Sequence, residues 1–99
     1  MDVELLNKGA EGELVLTGRM DAVAAKGAEK VFLQTAERFE TVRLNMEKLE
    51  YISSAGLRAV RNLYLAMHRK AGKLYVKNAG KSLMEVFELT GFAGVLNFI

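Results

Sequence analysis

Apolar positions recur with two different periods along this chain, and the switches between them divide it into elements. Val3-Glu4-Leu5-Leu6 reads as a short strand, and the glycines and asparagine of residues 7–12 as a turn. Residues 13–17, Glu-Leu-Val-Leu-Thr, read as a second strand, so the chain opens with a hairpin. Gly18-Arg19-Met20-Asp21 breaks the pattern, with Asp21 placed to cap a helix. From Ala22 to Phe39 the apolar residues Ala25, Ala28, Phe32, Ala36 and Phe39 fall three or four apart, a helix with one buried stripe. Gly27 inside it costs about 1 kcal/mol relative to alanine.

Residues 41–46 predict a third strand, and Glu47–Tyr51 a connection into two adjacent serines, Ser53 and Ser54. A second helix then carries Leu57, Val60, Leu63, Tyr64, Met67 and Ala71 on one face, with Gly72 expected as its left-handed terminator. Residues 73–77 form a fourth strand and 78–80 a turn. Leu83, Val86, Phe87 and Thr90 mark a third helix closed by Gly91, and residues 95–99 a fifth strand. Alternating strands and helices after residue 12 require crossover connections, and hence an α/β domain with a mostly parallel five-stranded sheet.

The chain has 99 residues, enough for one domain with its own core and too few for two. Its formal net charge of +2 is too small to argue for nucleic acid. With no cysteine, disulfides and thiolate chemistry are excluded. No apolar run approaches the ~20 residues of a membrane span, and the first residues lack the pattern of a secretory signal. A cytoplasmic protein is the expectation.

Catalytic constellations are poorly supplied. The single histidine, His68, lies about four helical turns beyond Ser54, roughly 20 Å, so the two cannot form a nucleophile–base pair. Gly91-Phe92-Ala93-Gly94 lacks the lysine and hydroxyl of a nucleotide loop. No metal cluster is evident, and the basic residues Arg58, Arg61, Arg69, Lys70 and Lys73 come with no aromatic stacking platform. What stands out is a hydroxyl at the start of a helix, where free backbone N–H groups favour negative charge. A serine there is an ordinary helix cap or a place where an added phosphate is held without further machinery. Gly56, in the same first turn, implies that another group approaches closely.

Tyr51-Ile52-Ser53-Ser54-Ala55-Gly56-Leu57, after a strand and opening a helix, resembles the signature of the STAS domain, found in bacterial anti-sigma factor antagonists and in anion transporters. Gly18-Arg19-Met20-Asp21-Ala22 resembles that family's segment after its second strand, and Lys73-Leu74-Tyr75-Val76 the strand before its third helix. The resemblance implies one STAS domain over residues 1–99, with an N-terminal hairpin, three main helices mainly on one side of the sheet, no enzymatic activity and no cofactor.

It further implies binding to an anti-sigma factor with serine kinase activity, switched off when that partner phosphorylates a loop serine. Alignment on Gly56-Leu57 puts the acceptor at Ser54. Arg19, Asp21, Asn45, Ser53, Ala55, Gly56, Arg58 and Arg61 are the residues expected to contact the partner. Asn45 and Ser53 stand where the family often has aspartate, which leaves an alternative: an unphosphorylated STAS scaffold subunit of a transporter or stressosome-like complex. A cognate phosphatase and a weak homodimer are left open.

Overall fold

The computed structural model describes residues 1–99. Strand β1 (Asp2–Lys8) turns at Gly9-Ala10 into β2 (Glu11–Met20). Gly9 has φ +82°, as the first residue of a type II′ turn requires, and the Asn7 side-chain oxygen accepts the Gly9 N–H at 3.1 Å. Strand β2 does not stop at Thr17 as expected. Gly18, at φ +101°, absorbs the break as a bulge, with register slips against the next strand at Val15/Thr17 and Gly18/Arg19, and pairing continues to Met20.

Helix α1 (Ala22–Arg38) starts where Asp21 accepts the Ala24 N–H at 2.8 Å. It buries Ala25, Ala28, Phe32, Thr35 and Ala36, and ends one residue short of the expected Phe39, which is extended and packed in the core. Lys70 closes that end, its Nζ donating to the carbonyls of Ala36 (2.7 Å) and Phe39 (3.0 Å). Strand β3 (Thr41–Ile52) is twice the expected length, because Glu47–Tyr51 is strand, not connection; Leu49 and Ile52 keep facing the core.

Helix α2 (Ser54–Arg69) ends in a Schellman motif: Gly72 N–H donates to Met67 O (2.8 Å) and Ala71 N–H to His68 O (3.1 Å). The left-handed residue is Ala71 (φ 57°), not Gly72, and Ala71 is exposed, so neither has its expected role. Gly72 is needed for space instead: a Cβ there would stand 2.8 Å from the Glu40 carbonyl oxygen. Strand β4 (Lys73–Lys77) matches the expected bounds. Helix α3 (Lys81–Thr90) is closed by Gly91 at φ +84°; a 3₁₀ turn, Phe92–Gly94, comes next, and β5 (Asn97–Phe98) is far shorter than residues 95–99.

The sheet order is β1-β2-β3-β4-β5, antiparallel only between β1 and β2. Leu14, Leu16, Val42, Leu44, Leu74 and Val76 join Phe32, Leu63 and Phe87 from the helices in one core cluster, so all three helices lie over one face. The alternate residues, among them Glu11, Glu13, Arg43, Asn45, Tyr75 and Lys77, form an uncovered polar face.

Candidate functional site

Neighbouring strands β2 and β3 end together, with Met20 beside Ile52, and each runs into a helix. The N-termini of α1 and α2 therefore sit side by side at one end of the sheet. The junction is tied by the Ser53 N–H donating to Met20 O at 2.9 Å.

The two serines have different surroundings. Ser53 is the cap: its Oγ accepts the Gly56 N–H at 3.1 Å, and its carbonyl takes the Leu57 N–H at 2.9 Å. Ser54 is the first helical residue and is exposed. Its hydroxyl makes no hydrogen bond within the chain, and the first-turn amides beside it have no intrahelical acceptor. Arg58, four residues on and exposed, shares its helix face.

Gly56 is buried. A Cβ there would come within 2.8 Å of Ile52 Cγ1 and 2.9 Å of Met20 Sδ, so the close approach foreseen from sequence is by the chain's own core and not by a ligand. That removes Gly56 from any contact surface. Ala55 is half-buried and, with Ala22, Ala25, Lys26, Glu29 and Arg58, lines a shallow groove of about 220 Å³ between α1 and α2. Arg19 pairs across the strands with Tyr51, its guanidinium carbon 4.4 Å from the ring centroid. Arg61 is exposed one turn beyond Arg58; Asn62 beside it bridges to Glu29 on α1 at 2.6 Å.

Asn45 is not part of this cluster. It lies seven residues before Ile52 on β3, on the order of 20 Å away, in the uncovered polar face. There its Nδ2 donates to Glu13 Oε2 (3.2 Å) while its Oδ1 accepts the Glu47 N–H (3.1 Å). Glu13 is only 3% exposed, a buried acid at a position whose alternation with leucines reads as the polar half of a strand. Lys8 (3.1 Å) and Lys77 (3.3 Å) both reach its Oε1. Burial pushes the carboxyl up, but hydrogen bonds from Asn45, Lys8 and Lys77 and the charge of Lys77 outweigh it and hold Glu13 below the usual glutamate value. Beside it Arg43 pairs with Glu11 (3.1 Å) and lies over Tyr75. This second polar cluster fastens β1, β2, β3 and β4 together.

A family model described as STAS domain matches residues 6–99. Among solved structures, an anti-sigma factor antagonist from Mycobacterium paratuberculosis is similar over 98% of this chain and 83% of its own, at TM-score 0.87 and 17% identity. The phosphorylated form of the Bacillus cell fate determinant SpoIIAA is similar over 99% and 91%, at 0.79 and 18%. The STAS domain of a Vibrio cholerae SulP transporter is similar over 85% and 68%, at 0.65 and 16%. At these identities the likeness speaks to fold. No curated protein sequence matches the chain.

Proposed function

The chain belongs to the STAS domain family, and we propose that residues 1–99 act as one such domain, an anti-sigma factor antagonist gated by phosphorylation of Ser54. The observation that carries this reading is the division of labour between the serines. Because Ser53 caps α2, Ser54 Oγ is left exposed at the helix N-terminus, free for a kinase to reach. A phosphate added there brings about −2 charge and three strong acceptors, beside unpaired first-turn amides and within reach of Arg58.

The fold would accommodate that charge at the rim of the molecule. A docked partner would not, because an uncompensated charge buried at an interface costs several kcal/mol. The partner in this reading is an anti-sigma factor with serine kinase activity, met in the cytoplasm. It would contact Arg19, Asp21, Ser54, Arg58, Arg61 and the rim of the α1–α2 groove, and a phosphatase would reset the switch. The domain itself carries out no catalysis. The alternative, an unphosphorylated scaffold role in a transport complex, has no use for the exposed hydroxyl of Ser54.

Incubation with the anti-sigma factor kinase and ATP, and then mass spectrometry, tests the reading. Phosphate confined to Ser54, and absent in Ser54→Ala, is the expected result. No phosphate at Ser54, together with co-purification of transporter components, rejects the switch in favour of the scaffold.

A further inference from the structure

We propose that the free edge of β1 is a self-complementary docking strand whose partner is a second copy of this chain. Strand β1 is outermost in the sheet, seven residues long, while the opposite edge strand β5 has only two. The two-residue turn at Gly9-Ala10 makes Lys8 and Glu11 a hydrogen-bonded pair. Asp2, Glu4, Leu6 and Lys8 therefore turn their backbone groups toward β2. Val3, Leu5 and Asn7 turn theirs outward, unpaired.

A second β1 laid antiparallel about a two-fold axis through Leu5 overlaps all seven residues. Leu5 then faces Leu5 of the second copy, and Val3 faces Asn7 of the second copy at both ends. All three are hydrogen-bonded positions, giving about six N–H···O bonds. The same register sets Asp2 opposite Lys8 of the second copy, twice, an opposite-charge pair at each end. Sliding by two residues either way shortens the overlap to five residues and loses the Asp2–Lys8 pairs, and one of the two slips also sets Glu4 against its own copy. Val3 and Leu5, half-buried on the helix side, would have their remaining edge covered.

One strand pair falls short of the ~1,200 Å² of a stable interface, so the dimer is weak and concentration-dependent. It also leaves the candidate site open. Asp2 pairs with Thr17, so the first residues of β1 lie toward the Ser54 end of the sheet. An antiparallel partner then places the two Ser54 ends at opposite poles, a bivalent unit able to engage two partners.

Sedimentation equilibrium from about 10 µM to about 1 mM tests the proposal. The mean mass is expected to climb from 11.0 kDa toward twice that value, with amide exchange at Val3, Leu5 and Asn7 slowing as concentration rises. Asp2→Lys, at an exposed position outside the Glu13 cluster, is expected to weaken self-association at least ten-fold. An equimolar mixture of D2K with K8D should restore it, because each charge then meets its opposite. Lys8 also holds Glu13, so D2K and the exchange pattern decide the matter if K8D fails to fold. A parent chain that stays at 11.0 kDa throughout, a D2K chain that associates like the parent, or growth beyond two chains overturns the proposal.

Discussion

Ser53 and Ser54 are chemically identical neighbours with separable consequences. Ser53→Ala removes the only side-chain cap of α2 and is expected to cost about 1 kcal/mol in a denaturant melt. Ser54→Ala removes a hydroxyl that bonds nothing in the chain, so its melt should overlay the parent's within about 0.5 kcal/mol. From sequence either serine is an equally good cap, because the choice depends on where β3 ends, which only the pairing of Met20 with Ile52 determines. Glu13 is equally illegible. An acid alternating with leucines on a strand reads as solvent-facing, and only the tertiary placement of Lys8, Asn45 and Lys77 seals it. Its carboxyl is held below the ordinary glutamate value, so its contribution is fully present above about pH 4.3 and is lost as pH falls through the lowered folded value. Glu13→Gln should therefore cost about 1–3 kcal/mol at pH 7 and, in melts taken between about pH 7 and pH 3, show a smaller decline with acid than the parent.

At the scale of elements, apolar periodicity identifies the five strands and three α-helices in order, and misjudges where several stop. Strands β2 and β3 both outrun their expected ends, because a glycine and a run of charged residues, normally breakers, are carried by a bulge and by exposure of one edge of the pleat. Strand β5 falls short, because a 3₁₀ turn after Gly91 uses the residues before Asn97. Glycines make the same point in measurable form. Nothing lies within 4 Å of a Cβ added at Gly27, so Gly27→Ala should stabilise α1 by about 0.5–1 kcal/mol. Gly56→Ala gains the same helix propensity but drives a methyl into Ile52 and Met20, and overpacking of about 1–3 kcal/mol should make it the less stable chain. Paired urea melts of the two variants, moving in opposite directions from the parent, check the argument. Local sequence marks Gly56 as a place of close approach; only the seam between α2 and the strand ends shows that the neighbours are Ile52 and Met20 of the chain's own core.

Over the whole molecule, the position of the candidate switch separates stability from recognition. The core lies between the sheet and its single layer of helices, and the second polar cluster fastens the opposite face; Ser54 belongs to neither. A negative charge at Ser54 touches no core atom and sits at the favourable end of the α2 dipole, so Ser54→Asp should change the unfolding free energy by less than about 1 kcal/mol, and toward greater stability. Its effect on docking should be of another order. A desolvated, unpaired charge costs about 3–5 kcal/mol, a weakening of more than about 100-fold in affinity for the anti-sigma factor. Calorimetric titration of the parent and of Ser54→Asp against that partner, run beside melts of both, reads the two quantities separately. A large loss of binding with unchanged melting is the outcome this geometry requires; equal losses in both would mean that the loop is part of the fold's foundation and not a gate upon it.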